Sequence, residues 1–376
     1  MSDDGLPDWR VEKSAITASK LGHEVIFGGK SSPAYKGCTF NKIYEINWTA
    51  RARMGLPFYW RPIKKIIDVI IREVKPDIVH AHNIFSAKMC LELKTPFVYD
   101  DHEFWSKQSI MLNEITAKIS IGRDSLKYDV FRVPKLVMRK TINKNIERLW
   151  TKWEKEVVSS HPTIVVSEQI ANELKLISGS TRVFVVENFP LASEVKGFEA
   201  PVYQNELSSV YAGVDGNYKG KQANRDINGL SNLFVDNKIG SLTIIGWKDE
   251  ISNTSINYAG LLPRHEMFQE MSKHSIGLIP WKKHWSHSFV NPNKAYEYAH
   301  AGLFVMCTSS FKTLIATLGN NCCAFENYDD LISKLKYFKD NMEEVFNNRI
   351  ATFEFAKSNL IWEKHEKNII RAYQSC

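Results

Sequence analysis

The 376-residue chain is poor in the short signatures that tie a sequence to one chemistry. Its six cysteines are Cys38, Cys90, Cys307, Cys322, Cys323 and Cys376, and no two form a C-x-x-C pair. No zinc site is therefore indicated, and thiols scattered over a long chain suit a reducing cytoplasm. No Asp-x-Asp triplet occurs, so a diphosphate held through a carboxylate-bound metal is not expected. Gly-x-Ser-x-Gly is absent, which removes one common esterase signal, and no pair of carboxylates reads as a glycoside hydrolase. Gly28-Gly29-Lys30-Ser31 looks like the end of a P-loop, but Glu24 stands where that loop needs a glycine. It reads as an ordinary loop after a strand. No apolar run approaches the roughly 18 residues of a membrane span. The first residues are acidic and polar, unlike a secretory signal.

What is present describes a globular α/β protein. Apolar residues make up 44% and charged residues 24%, enough for two domains with a sizeable core. The net charge of +7 is too small to argue for nucleic acid. It suits an anionic substrate or an acidic membrane surface.

Strands and helices alternate along most of the chain. Arg10–Leu21 is an amphipathic helix, followed by Gly22 and the strand His23–Phe27. Pro62–Val74 is a basic helix with Pro62 at its start, and Ile78–His82 and Phe97–Asp100 are strands. Thr163–Ser167, Arg182–Val186, Ser208–Ala212, Ser241–Gly246, Ile276–Pro280 and Leu303–Cys307 complete the apolar strand set. This alternation predicts parallel sheets, with ligands beyond the carboxyl ends of the strands. His82 and the run Asp100-Asp101-His102-Glu103 stand at such ends. The first helix has no strand before it. The expectation is that Met1 is an internal or misassigned start, and that the first sheet has a gap and is poorly stable. Ile142, Ile146, Leu149, Trp150, Trp153 and Val157 form one helical stripe within Leu136–Val158, flanked by Arg139, Lys140, Lys144, Arg148, Lys152 and Lys155. Two readings fit it: a helix packed on the first domain, or one lying on anionic lipid.

The stretch from Ser275 to Cys307 organises the rest. After the strand ending at Pro280 comes a polar loop, then Asn291 as the expected cap and Pro292 as the first helical residue. Lys294 falls in the first turn and Glu297 on the same face, and Gly302 ends the helix. A helix start favours anions, and an anion there would reconcile Lys294 with the dipole. Upstream, the loop Gly213–Asn228 carries Gly216, Lys219, Gly220, Lys221 and Arg225 without P-loop spacing.

Gly277-Leu278-Ile279-Pro280-Trp281, then Pro292-Asn293-Lys294-Ala295-Tyr296-Glu297-Tyr298 and Gly302 resemble the nucleotide-binding signature of glycosyltransferase family 4. Val79-His80-Ala81-His82, Tyr99-Asp100-Asp101-His102-Glu103 and the turn from Gly260 to Pro263 match further patterns of that family, so the resemblance covers nearly the whole chain. It implies the α/β GT-B fold, with two Rossmann-like doubly wound domains facing a cleft and the first strand of the N-terminal domain missing here. The expected divisions are an acceptor-side domain at 1–195, a nucleotide-sugar domain at 205–355, and a helix at 356–376 that crosses back. It implies a metal-independent, retaining transfer from a nucleoside-diphosphate sugar, in glycan, polysaccharide or glycolipid synthesis. The nucleotide sugar would be co-substrate, with no resident cofactor. On the donor side, Lys294 and Arg225 would hold the diphosphate, with Lys219 and Lys221 as rivals to Arg225. Glu297 would hold the ribose, and Gly213, Pro292 and Asn293 would line the site. His102, held by Glu103, and His82 are the expected catalytic contacts, with Asp8 and Arg10 on the acceptor side. Many family members carry an earlier Glu that is Phe289 here. A sugar-nucleotide epimerase of the same architecture, or an inactive homologue, are the alternatives. The expected location is cytoplasmic, with peripheral membrane contact and a saccharide or lipid-linked acceptor.

Overall fold

The computed structural model describes residues 1–32, 35, 37, 39–111, 114, 132–213, 223–247 and 255–376. The chain divides into two compact units: Met1–Glu187 with His365–Cys376, and Asn188–Lys364.

In the first unit, parallel strands β3 (Val79–His82), β4 (Phe97–Asp101), β5 (Thr163–Val165) and β6 (Val183–Val185) lie in that order. Strands β1 (Ile26–Gly29) and β2 (Lys42–Glu45) form a separate parallel pair. The backbone of Met1–Ser2 stands between the two groups. Ser2 N–H donates to the Gly28 carbonyl at 3.1 Å, and His82 N–H donates to the Met1 carbonyl at 2.9 Å. All five residues of β4 are buried, as a strand covered on both faces must be.

Several boundaries differ from expectation. The helix Pro57–Val74 starts at Pro57, which suits its first turn, so Pro62 lies inside it. The expected strand at residues 23–27 begins three residues later, at Ile26. Of the stripe on Arg132–Ser160, Trp150, Trp153 and Val157 are buried and Ile142 is exposed. Trp153 packs on Trp60 with ring centroids 5.1 Å apart, and Trp150 on Phe85 at 5.4 Å. This end of the helix is core, not a lipid face.

The second unit holds one six-stranded parallel sheet, ordered β12-β11-β10-β7-β8-β9. Its strands are β7 (Ser208–Ala212), β8 (Ser241–Ile245), β9 (Ile256–Gly260), β10 (Ile276–Ile279), β11 (Phe304–Thr308) and β12 (Cys322–Phe325). Winding runs outward from β7 through β8 to β9, then restarts at β10 on its other side. That reversal is the doubly wound arrangement, and it opens a crevice beyond the carboxyl ends of β7 and β10. The helix Asn293–His300 packs directly on β10 because Gly277 has no side chain: a Cβ there would meet the Tyr298 ring at 2.4 Å. Tyr298 is pinned in turn, since Ala212 N–H donates to its hydroxyl at 2.7 Å. The helix ends as expected, Gly302 taking a left-handed φ of 74°. Its start differs: Pro292 is the capping residue, and Asn291 instead accepts a 2.5 Å hydrogen bond from the Tyr296 hydroxyl. The long helix Met342–Asn359 carries a buried arginine, Arg349, whose Nε donates to the Gly302 carbonyl at 2.8 Å.

Because Tyr298 is both buried and hydrogen-bonded, it has nowhere to move. Gly277→Ala should therefore destabilise the second unit by about 1–3 kcal/mol. In urea unfolding this appears as a lower midpoint with an unchanged slope.

Candidate functional site

In the second unit the site grows from the reversal of the sheet. Gly213 follows β7, and its N–H donates to the Ile245 carbonyl at 2.8 Å. Trp281 follows β10; its indole N–H donates to the Tyr211 hydroxyl at 3.0 Å. Both rings are buried and form an aromatic floor. Lys294 Nζ lies 4.4 Å from the centre of the Tyr211 ring and 5.0 Å from that of Trp281. The Arg225 guanidinium stands 5.4 Å from the Trp281 centroid. Ring quadrupoles attract both cations, so two positive groups meet over one floor. Gly213 leaves the room for this, since a Cβ would lie 2.9 Å from Lys294 Nζ. Lys219 and Lys221 lie outside the described residues.

The turn bearing Arg225 is held by a residue the sequence did not single out. His287 is buried, with Nε2 2.6 Å from the Asn224 carbonyl and Nδ1 2.8 Å from Ser310 Oγ. Its ring stacks on Phe311 at 4.2 Å. Burial outweighs the Asn224 carbonyl and holds its pKa down at about 4, so the neutral ring acts as a spacer.

Asn293 is exposed and Pro292 buried at the start of the helix. Glu297 is half-buried and does not turn back to Lys294. Its Oε1 accepts from Arg264 Nη1 at 2.8 Å. Arg264 also donates from Nε to Glu194 Oε1 at 2.9 Å.

The first unit carries a different arrangement, centred on Asp100. This buried carboxylate accepts from Arg10 Nε at 2.9 and 3.0 Å and from His80 Nε2 at 3.1 Å. His82 Nδ1 lies 3.5 Å away and His102 Nδ1 3.9 Å. Burial would raise the Asp100 pKa, but Arg10 and the imidazoles hold it well below the usual carboxylate range. His82 stacks on His80 at 4.4 Å, and burial, with His80 adding to it, keeps His82 neutral. His102 behaves oppositely. Burial lowers it, but Asp100 overrides this and pushes its pKa up to about 9.

Three expected roles change here. Glu103 stands 3.7 Å from Arg51 and, among the described residues, does not touch His102. The group beside His102 is Asp100. Arg10 is buried, and donates from Nη1 to the Val186 carbonyl at 3.0 Å as well as to Asp100. It is an internal strut beside the expected acceptor side. Asp8 caps the helix Trp9–Lys20, accepting from Arg10 N–H at 2.9 Å and Val11 N–H at 3.2 Å. Among the described residues, two groups have donor atoms close enough for a cation: His80, His82 and Asp100, and Asp4, Asp8 and His102. Their oxygens are already engaged, Asp100 by Arg10, Asp4 by Arg51 and Asn83, and Asp8 by backbone N–H groups.

The raised pKa of His102 sets a pH dependence. Imidazolium is favoured in the folded state, so its contribution is fully present below about 6.5, the unfolded value. It is lost as pH rises through about 9. Urea midpoints of the wild type should show this fall, and His102→Gln should lack that component. Asp100→Asn leaves Arg10 buried without its partner and should cost about 3–5 kcal/mol.

Comparison with known proteins places these geometries. The Glycosyltransferase Family 4 model matches residues 15–189. Sucrose-phosphate synthase from Thermosynechococcus elongatus superimposes with a TM-score of 0.65 at 11% identity, covering 97% of this chain and 92% of that one. A glycosyltransferase from Rickettsia africae ESF-5 gives 0.65 at 13% identity, over 99% and 97% of the two chains. Anabaena HepE in complex with UDP gives 0.63 at 10% identity, over 100% and 98%. No curated protein is similar enough in sequence to count as a relative. With residues 15–189 matching the family 4 model, the chain is a glycosyltransferase of the GT-B fold.

Proposed function

We propose that this glycosyltransferase transfers its sugar from a nucleoside diphosphate to an acceptor hydroxyl with retention of anomeric configuration, in glycan, polysaccharide or glycolipid synthesis. The observation that carries the reading is the meeting of Lys294 and Arg225 on the Tyr211–Trp281 floor, beside Gly213. As the glycosidic bond to the diphosphate breaks, negative charge gathers on the leaving oxygens. Cations already fixed in place stabilise that charge with little reorganisation. The helix start at Pro292 and Asn293 adds its dipole in the same sense. Glu297 accepts hydrogen bonds from the ribose diol, which a charged acceptor makes strong. In the first unit His102, charged through Asp100, is the catalytic contact, with neutral His82 and Glu103 beside the acceptor. No step here calls on a resident cofactor or metal.

UDP and UDP-glucose are the first probes, because HepE was solved with each. Lys294→Ala should weaken UDP binding by about tenfold or more, the loss expected of a charged contact. Titration calorimetry on wild type and variant reads it, and equal affinities remove the assigned phosphate contact. Incubation with UDP-glucose alone separates the epimerase alternative: a new nucleotide sugar formed without acceptor would establish it. With acceptor present, an α-linked NMR coupling in the product supports retention, and a β-linked one excludes it.

The reading also places the acceptor at an anionic membrane face, with the protein cytoplasmic and peripheral. No described helix is long and apolar enough to cross a membrane. On the helix Pro57–Val74, however, Phe58 is 81% exposed and Val69 63%, with Leu56 and Ile66 also outside. Phe58, Pro62, Ile66 and Val69 repeat at helical spacing, with exposed Arg61, Lys65 and Arg72 alongside. An apolar stripe between cations fits an acidic lipid surface. The protein should co-sediment with vesicles containing 30% phosphatidylglycerol, and not with pure phosphatidylcholine. Phe58→Ser with Val69→Ser should abolish this, while unchanged binding would rule out the stripe.

A further inference from the structure

We infer that Arg264 is a positioning residue for nucleotide recognition, holding Glu297 in the orientation that reads the ribose hydroxyls. The inference rests on the assignment of Glu297 to the ribose. Three contacts define the arrangement. Arg264 Nη1 donates to Glu297 Oε1 at 2.8 Å. Arg264 Nε and Nη2 both reach Glu194 Oε1, at 2.9 and 2.8 Å. The guanidinium also lies 5.0 Å from the Phe268 ring centre, one turn further along its own helix. The planar fork is thus fixed on two edges and one face, and a fork held this way has little freedom left.

Its anchorage extends beyond the side chain. Arg264 opens the helix Arg264–Ser272, directly after Pro263, so its backbone is set by a helix start. Glu194 is fixed separately: its Oε2 accepts from Leu191 N–H at 2.8 Å. Ala192 N–H beside it donates to Glu363 at 3.0 Å. The three side chains are largely shielded, 27% exposed for Arg264 and 12% for each glutamate. Shielding makes the ion pairs stronger than surface pairs and the geometry more rigid.

The chemical consequence concerns Glu297. A glutamate on a helix surface samples several rotamers, and each productive hydrogen bond to a diol would then cost side-chain entropy. With Oε1 on Arg264 that cost is met in the folded protein. Among the described residues Oε2 has no protein partner, so it remains for a ligand hydroxyl. Oε1 keeps a second lone pair for the neighbouring hydroxyl. The bridge also separates two tasks. Lys294 and Arg225 stand on the aromatic floor and address phosphate; Arg264 is joined to Glu297 and acts on the nucleotide through it. Its loss should change which sugar of the nucleotide is preferred, not the grip on the diphosphate.

The experiment is calorimetry with UDP, GDP, ADP and CDP, each paired with its 2′-deoxy form. Wild type should bind the ribonucleotide it prefers about tenfold more tightly than the deoxy form, the value of one hydrogen bond to a charged acceptor. Arg264→Ala should shrink this ratio to about twofold and leave the deoxy form within about threefold of wild type. Arg264→Lys should restore part of the ratio, which a purely structural loss would not. If Arg264→Ala does not fold, Arg264→Lys and Glu194→Gln carry the test, each expected to reduce the ratio at constant deoxy affinity. An unchanged ratio, or equal weakening of both forms, overturns the role of Arg264. A Glu297→Gln variant that keeps the full wild-type ratio, or a wild type that binds none of the diphosphates, overturns the ribose assignment itself.

Discussion

A parallel sheet cannot turn back on itself without a crossover, and in the second unit the crossovers change direction between β7 and β10. Everything assigned to the donor stands at that reversal. Two adjacent strands there send their chains away to different sides, so no crossover covers their carboxyl ends. Gly213 and Trp281 occupy those ends, and the helix carrying Lys294 starts a short loop later. The position of the cations therefore follows from the winding of the sheet. The tight seat of that helix follows from one missing side chain, at Gly277.

The two units solve the problem of buried charge in contrasting ways. In the first, Asp100 gathers Arg10 and three histidines, and the partners share one anion unequally. His82, stacked on a second imidazole, stays neutral, and His102 stays charged. The same carboxylate favours charge on both rings, and it prevails at His102, while burial and His80 prevail at His82. A second carboxylate pair lies behind it. Burial pushes Asp101 up to about 6, and burial together with repulsion from Asp101 pushes Glu154 well above its ordinary range, so at least one holds a proton at neutral pH. In the second unit positive charge rests on aromatic faces instead. A ring attracts a cation without neutralising it.

Much of this was legible in the sequence, for reasons that can be named. Continuous apolar runs gave the strands because both sheet faces are covered, as in Phe97–Asp101 and Phe304–Thr308. The residues Trp281, Lys294 and Gly213 were marked by their place after strands or at a helix start, and local pattern reaches that far. Three of the failures concern partners distant along the chain. Glu103 seemed the natural neighbour of His102, yet Arg51, fifty-two positions upstream, takes it. Arg10 was expected on the acceptor side, yet it pairs with Asp100, ninety residues away. Glu194 fell at the end of the expected first domain, and no periodicity linked it to Arg264. Asn291 had the composition of a cap, but the Tyr296 hydroxyl competes for its oxygen. Caps and turns are local; ion pairs inside a fold are not.

The same distinction explains how the chain does without the earlier glutamate of the resembled pattern. Phe289 stands there, 6.4 Å from Trp285 between ring centres. With an aromatic residue at that position, the one acidic group on the first turns of the helix is Glu297, and its charge is turned to Arg264. The arrangement keeps a carboxylate for hydrogen bonding while withdrawing it from the phosphate contacts. Charge separation of this kind needs a rigid base, and the fork of Arg264 between Glu194 and Glu297 supplies one that lysine, with a single mobile ammonium, would hold less well.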